Sequence, residues 1–239
     1  MGETGNTQAV PSVPPQDGGL SFAGIFRVFY EPTAFFTKLK DNPKLLVPYL
    51  AVAVLLLISG FITLNLMVES GLQDRGVQMS DVPPLGILIG KVSTLAVLAA
   101  AAAIGPLLVA LLALFWGNFI FGGKARFRQV FSLALYGGII TAFGRLLVAP
   151  LMLYKHTTAV SLSLAALLPT PQSANNPGVL YTLLSQFDVF IIWELIVVGI
   201  GLSVIYGISR NKGYLLSVLS IGLLSALAVA GAAVRAMFF

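Results

Sequence analysis

The run from Asp188 to Gly207 constrains the fold more than any other stretch of the chain. Its twenty residues are almost all apolar, and only Asp188 and Glu194 carry a charge. A run of this length crosses a bilayer as an α-helix, because lipid offers no partner to unpaired backbone N–H and C=O groups. A carboxylate inside such a helix costs about 2.5–3.5 kcal/mol on membrane-insertion scales. Glu194 therefore needs a partner or a purpose.

The composition places the rest of the chain in the membrane as well. Hydrophobic residues make up 57% of the sequence and charged residues only 10%, whereas a soluble domain carries about 25% charged residues. The sequence predicts an all-α fold, a polytopic transmembrane helical bundle of five spans. These spans are expected at about residues 45–68, 92–121, 130–153, 185–208 and 214–236.

Two segments precede the first span. Residues 1–19 are polar, contain several Pro and Gly residues and show no periodicity, which predicts a disordered cytoplasmic tail. Residues 20–42 interleave aromatic residues with cations and predict two short amphipathic interfacial helices. These helices can lie on the membrane surface with their cations toward anionic headgroups, or pack the same face against the bundle. The pattern alone leaves both arrangements open.

The cations cluster between alternate spans, and this sets the expected topology. Nine lie on one side of the membrane: Arg27, Lys38, Lys40, Lys44, Lys124, Arg126, Arg128, Arg210 and Lys212. Four lie on the other: Arg75, Lys91, Lys155 and Arg235. The positive-inside rule then places the N-terminus in the cytoplasm and the C-terminus outside. Contacts with lipid headgroups or the cytoplasm are expected for Arg27, Lys38, Lys40, Lys124, Arg126 and Arg128.

Small residues recur every four positions in the last two spans, a spacing that lets helices approach closely. In the fourth span they are Gly199, Ser203 and Gly207, and in the fifth they are Gly222, Ala226 and Ala230. We expect both stripes to support tight helix packing.

Arg145 is the expected partner of Glu194. It lies eight residues before residue 153, and Glu194 lies nine after Ser185. Because the two spans run in opposite directions, both side chains would sit about 12–13 Å from the same face at 1.5 Å per residue. A buried ion pair would offset the cost of either charge in lipid. Asp188 has a simpler expected role, since Ser185 and Asp188 have the spacing of a capping box.

Three groups of residues form a recognisable pattern along the chain. They are Tyr30-Glu-Pro-x-x-Phe35-Phe36, Gly122-Gly-Lys, and Asp188-x-Phe190-x-x-Trp193 followed by Gly-x-Gly-Leu-Ser-x-x-Tyr-Gly207. Together they resemble a bacterial member of the Yip family, named for Ypt-interacting protein and also called YIPF. The resemblance covers about residues 20–236 and implies a place in the bacterial cytoplasmic (inner) membrane. It implies that the family motif positions are Asp188, Phe190, Trp193, Gly199, Gly201 and Gly207.

The resemblance also bears on partners. Eukaryotic members of the family are implicated in Golgi and endoplasmic reticulum vesicle traffic and in partnership with Rab GTPases. Their Asp-Leu-Tyr-Gly-Pro motif has no match in this sequence, so Rab-type GTPase binding does not carry over. The expected partners are the lipid bilayer, further copies of the chain or other membrane proteins, and not nucleic acid.

The sequence favours a non-catalytic membrane scaffold or organiser, or a membrane-trafficking-like factor, that acts through helix–helix and lipid contacts. It contains no Cys and a single His, which excludes thiolate chemistry and a His-rich metal site. No nucleophile–base pair or cofactor loop is recognisable, and Gly122-Gly-Lys lacks the rest of a Walker pattern. We therefore expect no enzymatic activity and no cofactor or metal.

A small transporter or channel is the alternative function. Glu194 and Arg145 lie within the membrane, and Pro106 is expected to kink the second span. Charged residues at this depth and interrupted helices both occur in transport sites.

Cysteine labelling tests the topology, because the chain has no native Cys to give background. Ser173→Cys should react with a membrane-impermeant maleimide in intact cells, since its connector is expected outside. Ser12→Cys should react only after lysis. The opposite labelling pattern would overturn the cation count.

Overall fold

The computed structural model describes residues 22–171 and 176–238, and these residues form an all-α bundle. Within those ranges there is no β-strand, only an isolated bridge between Ser163 and Asp188. Five helices are long and apolar enough to cross a membrane, which confirms the expected fold class. The expected tail, residues 1–19, lies outside the described residues.

The described residues form nine α-helices. In chain order they are α1 Phe22–Tyr30, α2 Pro32–Asp41, α3 Leu46–Gln73, α4 Pro84–Leu114, α5 Phe127–Lys155, α6 Val179–Ser185, α7 Val189–Tyr206, α8 Arg210–Ser217 and α9 Leu223–Phe238. The π-helical segment Phe115–Ile120 continues α4, and the π-helical segment Val218–Gly222 joins α8 to α9. The five spans are therefore α3, α4 with its π segment, α5, α7, and α8 together with α9.

Two helix boundaries differ from the sequence expectation for local reasons. The second span begins at Pro84 instead of near residue 92, because proline suits the first turn of a helix, where its missing N–H costs nothing. The helix then continues through Pro106. The fourth span begins at Val189, because Asp188 caps it, whereas Ser185 ends the separate helix α6.

The span α5 lies at the centre of the bundle. It packs against α3, α4 and α7. In its most apolar 18-residue stretch, 67% is buried, more than in any other candidate span. Leu133, Tyr136 and Ile140 are almost completely enclosed. Three of the other spans therefore lie directly against α5, whereas α8 of the last span packs against α7.

The helices α1 and α2 pack along α7, which is the second of the two arrangements that the sequence left open. Phe29 meets Trp193 edge to face, with 5.3 Å between ring centroids. Phe36 is fully buried and lies against Gly201, where a Cβ would sit 2.9 Å from its ring. The contact farther along the N-terminal segment, at Phe36, is also the one farther along α7, at Gly201. Residues 29–36 therefore run parallel to α7.

The opposite side of α1 and α2 stays open. Phe26 is 56% exposed and Tyr30 is 64% exposed, and Arg27 and Lys38 are exposed as well. Burial of one aromatic face against the protein therefore leaves a second face, with cations, for lipid or water.

The helices α7 and α8 touch backbone to backbone. A Cβ at Gly213 would collide with the carbonyl oxygen of Gly199 and would lie 2.7 Å from the Cβ of Ser203. Ser217 Oγ donates to the carbonyl oxygen of Leu195 at 2.7 Å. The small residues of α7 thus bring the last span within direct contact.

The remaining positions of the two stripes have other surroundings. Gly207 has a φ of 66°, in the left-handed region, and ends α7 as glycine commonly does. Gly222 belongs to the second π segment, and a Cβ there would meet only Val218 of the same segment. Ala226 and Ala230 are exposed. The stripe of the last span therefore faces out of the described bundle.

Candidate functional site

A cavity of about 930 Å³ lies between the spans. Its walls come from α3, α4, α5, α7 and α9, and most of its lining side chains are apolar. The charged residues that line it are Arg145, Asp188 and Glu194, and Thr141 and Ser225 are among its hydroxyl groups. A largely apolar cavity with a few convergent polar groups is typical of small-molecule binding sites.

Glu194 reaches this cavity because glycine faces it across the helix contact. A Cβ at Gly137 would lie 3.5 Å from both the Cγ and the Oε1 of Glu194. The Thr141 side chain lies one turn along α5 and lines the cavity with Glu194. Its hydroxyl donates to the carbonyl oxygen of Gly138 at 3.2 Å. Because a hydroxyl has a single hydrogen, Thr141 can offer the carboxyl group only an acceptor in this arrangement.

Glu194 is largely buried between the helices and lines the cavity. Protein atoms therefore replace most of the water that an exposed carboxylate would have. Such a group can bind a hydrogen-bond donor or a cation that enters the cavity.

Arg145 lines the same cavity but is not in contact with Glu194. Among the described residues, no nitrogen of Arg145 comes within 4.0 Å of a Glu194 oxygen, and Arg145 is exposed. The structure thus brings the two residues to one cavity without the direct ion pair that the sequence predicted.

The register of α5 against α7 explains the difference. Gly137 lies against Val198, and Gly144 lies against the Phe190 ring. This pairing puts Thr141 opposite Glu194 and leaves Arg145 one turn farther along α5. Counting depth from Ser185 was wrong, because α7 begins four residues later, at Val189.

Asp188 caps α7 and also anchors the preceding connector. Its Oδ1 accepts from the Phe190 backbone N–H at 2.8 Å, which satisfies one of the free donors at a helix start. The backbone beside it pairs with the connector through Val189 N to Leu162 O and Leu164 N to Phe187 O, both at 3.3 Å. The backbone on either side of Asp188 therefore holds the connector beside the start of α7.

The other family motif positions are contact points of α7. Phe190 lies against Gly144 of α5 and stacks on Trp193 at 6.5 Å between ring centroids. Gly199 lies against the Tyr214 ring, and Gly201 receives Leu133 and Phe36. The motif thus describes how α7 touches α1, α2, α5 and α8.

A second polar site lies at the end of the bundle where α5 begins. Lys40, Lys124 and Arg126 line one opening of about 440 Å³, whereas Arg128 is exposed and does not line it. The sequence predicted these residues as separate headgroup contacts, and the fold gathers three of them.

Sequence reasoning missed the residues that shape this opening. Asn118 exchanges two hydrogen bonds of 3.2 Å with the backbone of Ala125, and Tyr206 OH donates to the carbonyl oxygen of Ala113 at 3.2 Å. The available signal was Asn118 itself, an amide near the end of an apolar run, where an unpaired polar group would be costly.

Metal ligation has no support in residues 22–171 and 176–238. No three His, Asp or Glu side chains there lie close enough to share an ion. The chemistry that the two sites offer is binding, through one enclosed carboxyl group and one group of cations.

A double-mutant cycle tests the absence of the Arg145–Glu194 pair. We expect Arg145→Met and Glu194→Leu to change the free energy of unfolding additively, with a coupling below about 1 kcal/mol, because the groups are not in contact. Unfolding in mixed detergent micelles measures it. A direct buried pair would instead make either single change cost about 3–5 kcal/mol and the double change much less than their sum.

Comparison with known proteins gives two matches. Residues 26–233 match the family model described as the Yip1 domain. The chain is also 25% identical over 217 residues to "Membrane protein YknW" of Bacillus subtilis (strain 168), across 84% of this chain and 86% of the relative. No solved structure matches it. The matched range runs from α1 into α9 and includes both polar sites, and it confirms the resemblance seen in the motifs: the chain belongs to the Yip1 domain family of membrane proteins.

Proposed function

We propose that this Yip-family protein is a non-catalytic membrane organiser that acts through helix–helix and lipid contacts. The observation that carries the proposal is the open small-residue face of the last span. Ala226 and Ala230 lie one turn apart and are both exposed. The same four-residue spacing in α7 brings α8 into backbone contact. The last span therefore offers a helix of another molecule the same kind of close-packing surface that α7 offers to α8.

Helix association in lipid depends on this kind of surface. The bilayer is as apolar as a Leu side chain, so packing and close approach, not the hydrophobic effect, drive two helices together. Small side chains supply close approach. The last span leaves most of its surface uncovered by the rest of the protein, since only 28% of its most apolar 18-residue stretch is buried. A second copy of the chain or another membrane protein fits this face.

Transport is the second candidate, and the cavity that Glu194 and Arg145 line is the observation behind it. The organiser proposal has the broader support, because it accounts for the outward stripe and for the cations at the bundle end. The family match extends to the membrane protein class and leaves both candidates open to experiment.

A single substitution in the open face tests the organiser proposal. Ala226→Leu should lower the yield of cross-links between the last span and its partner helix in native membranes about tenfold, because a bulky side chain there blocks close approach. Ala228→Leu is the matched control, since Ala228 is exposed on another side of the same helix. Neither change should alter the thermal midpoint of the purified chain, because both sites are exposed.

Two results would contradict the proposal. Equal adduct yields from the two variants would mean that the stripe has no partner. Saturable solute flux in proteoliposomes that disappears with Glu194→Leu would establish transport in its place.

A further inference from the structure

We propose that the opening lined by Lys40, Lys124 and Arg126 binds a phosphate group, carried by an anionic phospholipid headgroup or by a soluble phosphorylated molecule. The site can exist whether or not the last span binds another helix. The opening lies at the other end of α7 from the residues that line the cavity, and no residue of the last span lines it. Its evidence is the convergence of cations, their excess over the one carboxylate that lines the opening with them, and the hydrogen bonds that hold the surrounding loop.

The fold brings these cations together from distant parts of the chain. Lys40 lies near the end of α2, and Lys124 and Arg126 lie in the loop before α5. One carboxylate, Asp41, lines the opening with them. Three cations against one carboxylate leave an excess of positive charge, and a space of about 440 Å³ exceeds what one phosphate group fills.

The cations have donors to spare. In the part of the chain that the structure describes, Lys124 and Arg126 form no ion pair within 4.0 Å. Lys40 Nζ donates to the carbonyl oxygen of Val204 at 3.2 Å, near the end of α7, and an ammonium group has three N–H donors. Arg126 also precedes the first turn of α5, where the helix dipole favours negative charge.

The loop that carries two of the cations is held in place from both ends. Asn118 binds the backbone of Ala125 through two hydrogen bonds, and Gly123 N donates to Gly117 O at 2.9 Å. Gln129 accepts from the Arg126 backbone N–H at 2.9 Å and donates to the Lys40 carbonyl oxygen at 2.8 Å. This last residue ties the two cation-bearing segments to each other. A fixed site loses less conformational entropy when it binds.

The glycines in and before this loop leave space for the Tyr206 ring, which packs against them. Gly117 and Gly123 lie so close to the Tyr206 ring that a Cβ at either would collide with it. Gly122 has a φ of 66°, which glycine adopts without strain. The glycines thus shape the loop, and side-chain cations, not a Walker-type backbone cradle, would hold the phosphate.

Phosphate chemistry fits both the charge and the position. Arg and Lys bind phosphate oxygens through charge-assisted hydrogen bonds, and basic openings at span ends bind lipid headgroups. The opening lies on the side that the cation count assigns to the cytoplasm, where both anionic lipids and soluble phosphorylated molecules occur.

Thermal unfolding of the purified full-length chain in a non-ionic detergent tests the site. The probes are dioctanoyl phosphatidylglycerol, inorganic pyrophosphate, and zwitterionic dioctanoyl phosphatidylcholine as the control lipid. Stabilisation by phosphatidylglycerol alone identifies a headgroup site, and stabilisation by pyrophosphate identifies a site for soluble phosphate. Both results support the proposal, whereas stabilisation by neither, or equally by phosphatidylcholine, overturns it.

Matched double variants separate the opening from general surface charge. The double change Lys124→Gln and Arg126→Gln should lower the affinity for the stabilising ligand about 100-fold, since each lost charged hydrogen bond is worth about tenfold in affinity. Arg128→Gln with Lys212→Gln removes the same charge from exposed positions outside the opening and should leave the affinity within about threefold. Equal weakening in both variants would overturn the proposal.

A charge-conserving variant guards against a folding defect. Lys124→Arg with Arg126→Lys keeps both cations and should keep binding within about tenfold, even if the Gln variant proves unstable. Loss of binding in this variant, with an unchanged midpoint in the absence of ligand, would contradict a site built on these two charges.

Discussion

Close helix approach at the small residues of α7 is the constraint on which the rest of the structure depends. Gly201 lies against Leu133 of α5 and Phe36 of α2, and Gly199 lies against Tyr214 of α8. In lipid, such contacts supply the packing that holds helices together. They also set the register of α5, and that register in turn decides which side chains meet the enclosed carboxyl group of Glu194.

Much of the fold could be predicted from the sequence, because length and apolarity decide which segments cross a bilayer. The five spans followed from the length and apolarity of single segments, and the motif positions on α7 came from the resemblance to the Yip family. The Arg145–Glu194 pair did not, because it depends on the relative register of two helices, and an error of four residues at Ser185 moved one partner by a turn. The docking of α1 and α2 was likewise undecidable, since an aromatic face suits lipid and protein equally.

The two polar sites differ in how far they can be predicted from the sequence. Glu194 stands out in an apolar run, and its glycine and threonine neighbours recur at four-residue steps on α5. The opening at the bundle end was visible only as scattered cations. Its assembly depends on Gln129, which binds both Lys40 and Arg126, and no local pattern marks a side chain that joins segments 89 residues apart.

The comparison of Gly213→Ala with Gly231→Ala tests most directly whether close approach around α7 holds the bundle together. A Cβ at Gly213 would collide with the Gly199 backbone, whereas nothing lies within 4 Å of one at Gly231. The thermal midpoint in detergent should fall by several degrees for Gly213→Ala. It should stay unchanged or rise slightly for Gly231→Ala, because Ala favours a helix by about 1 kcal/mol over Gly. Equal midpoints for the two variants would contradict the account.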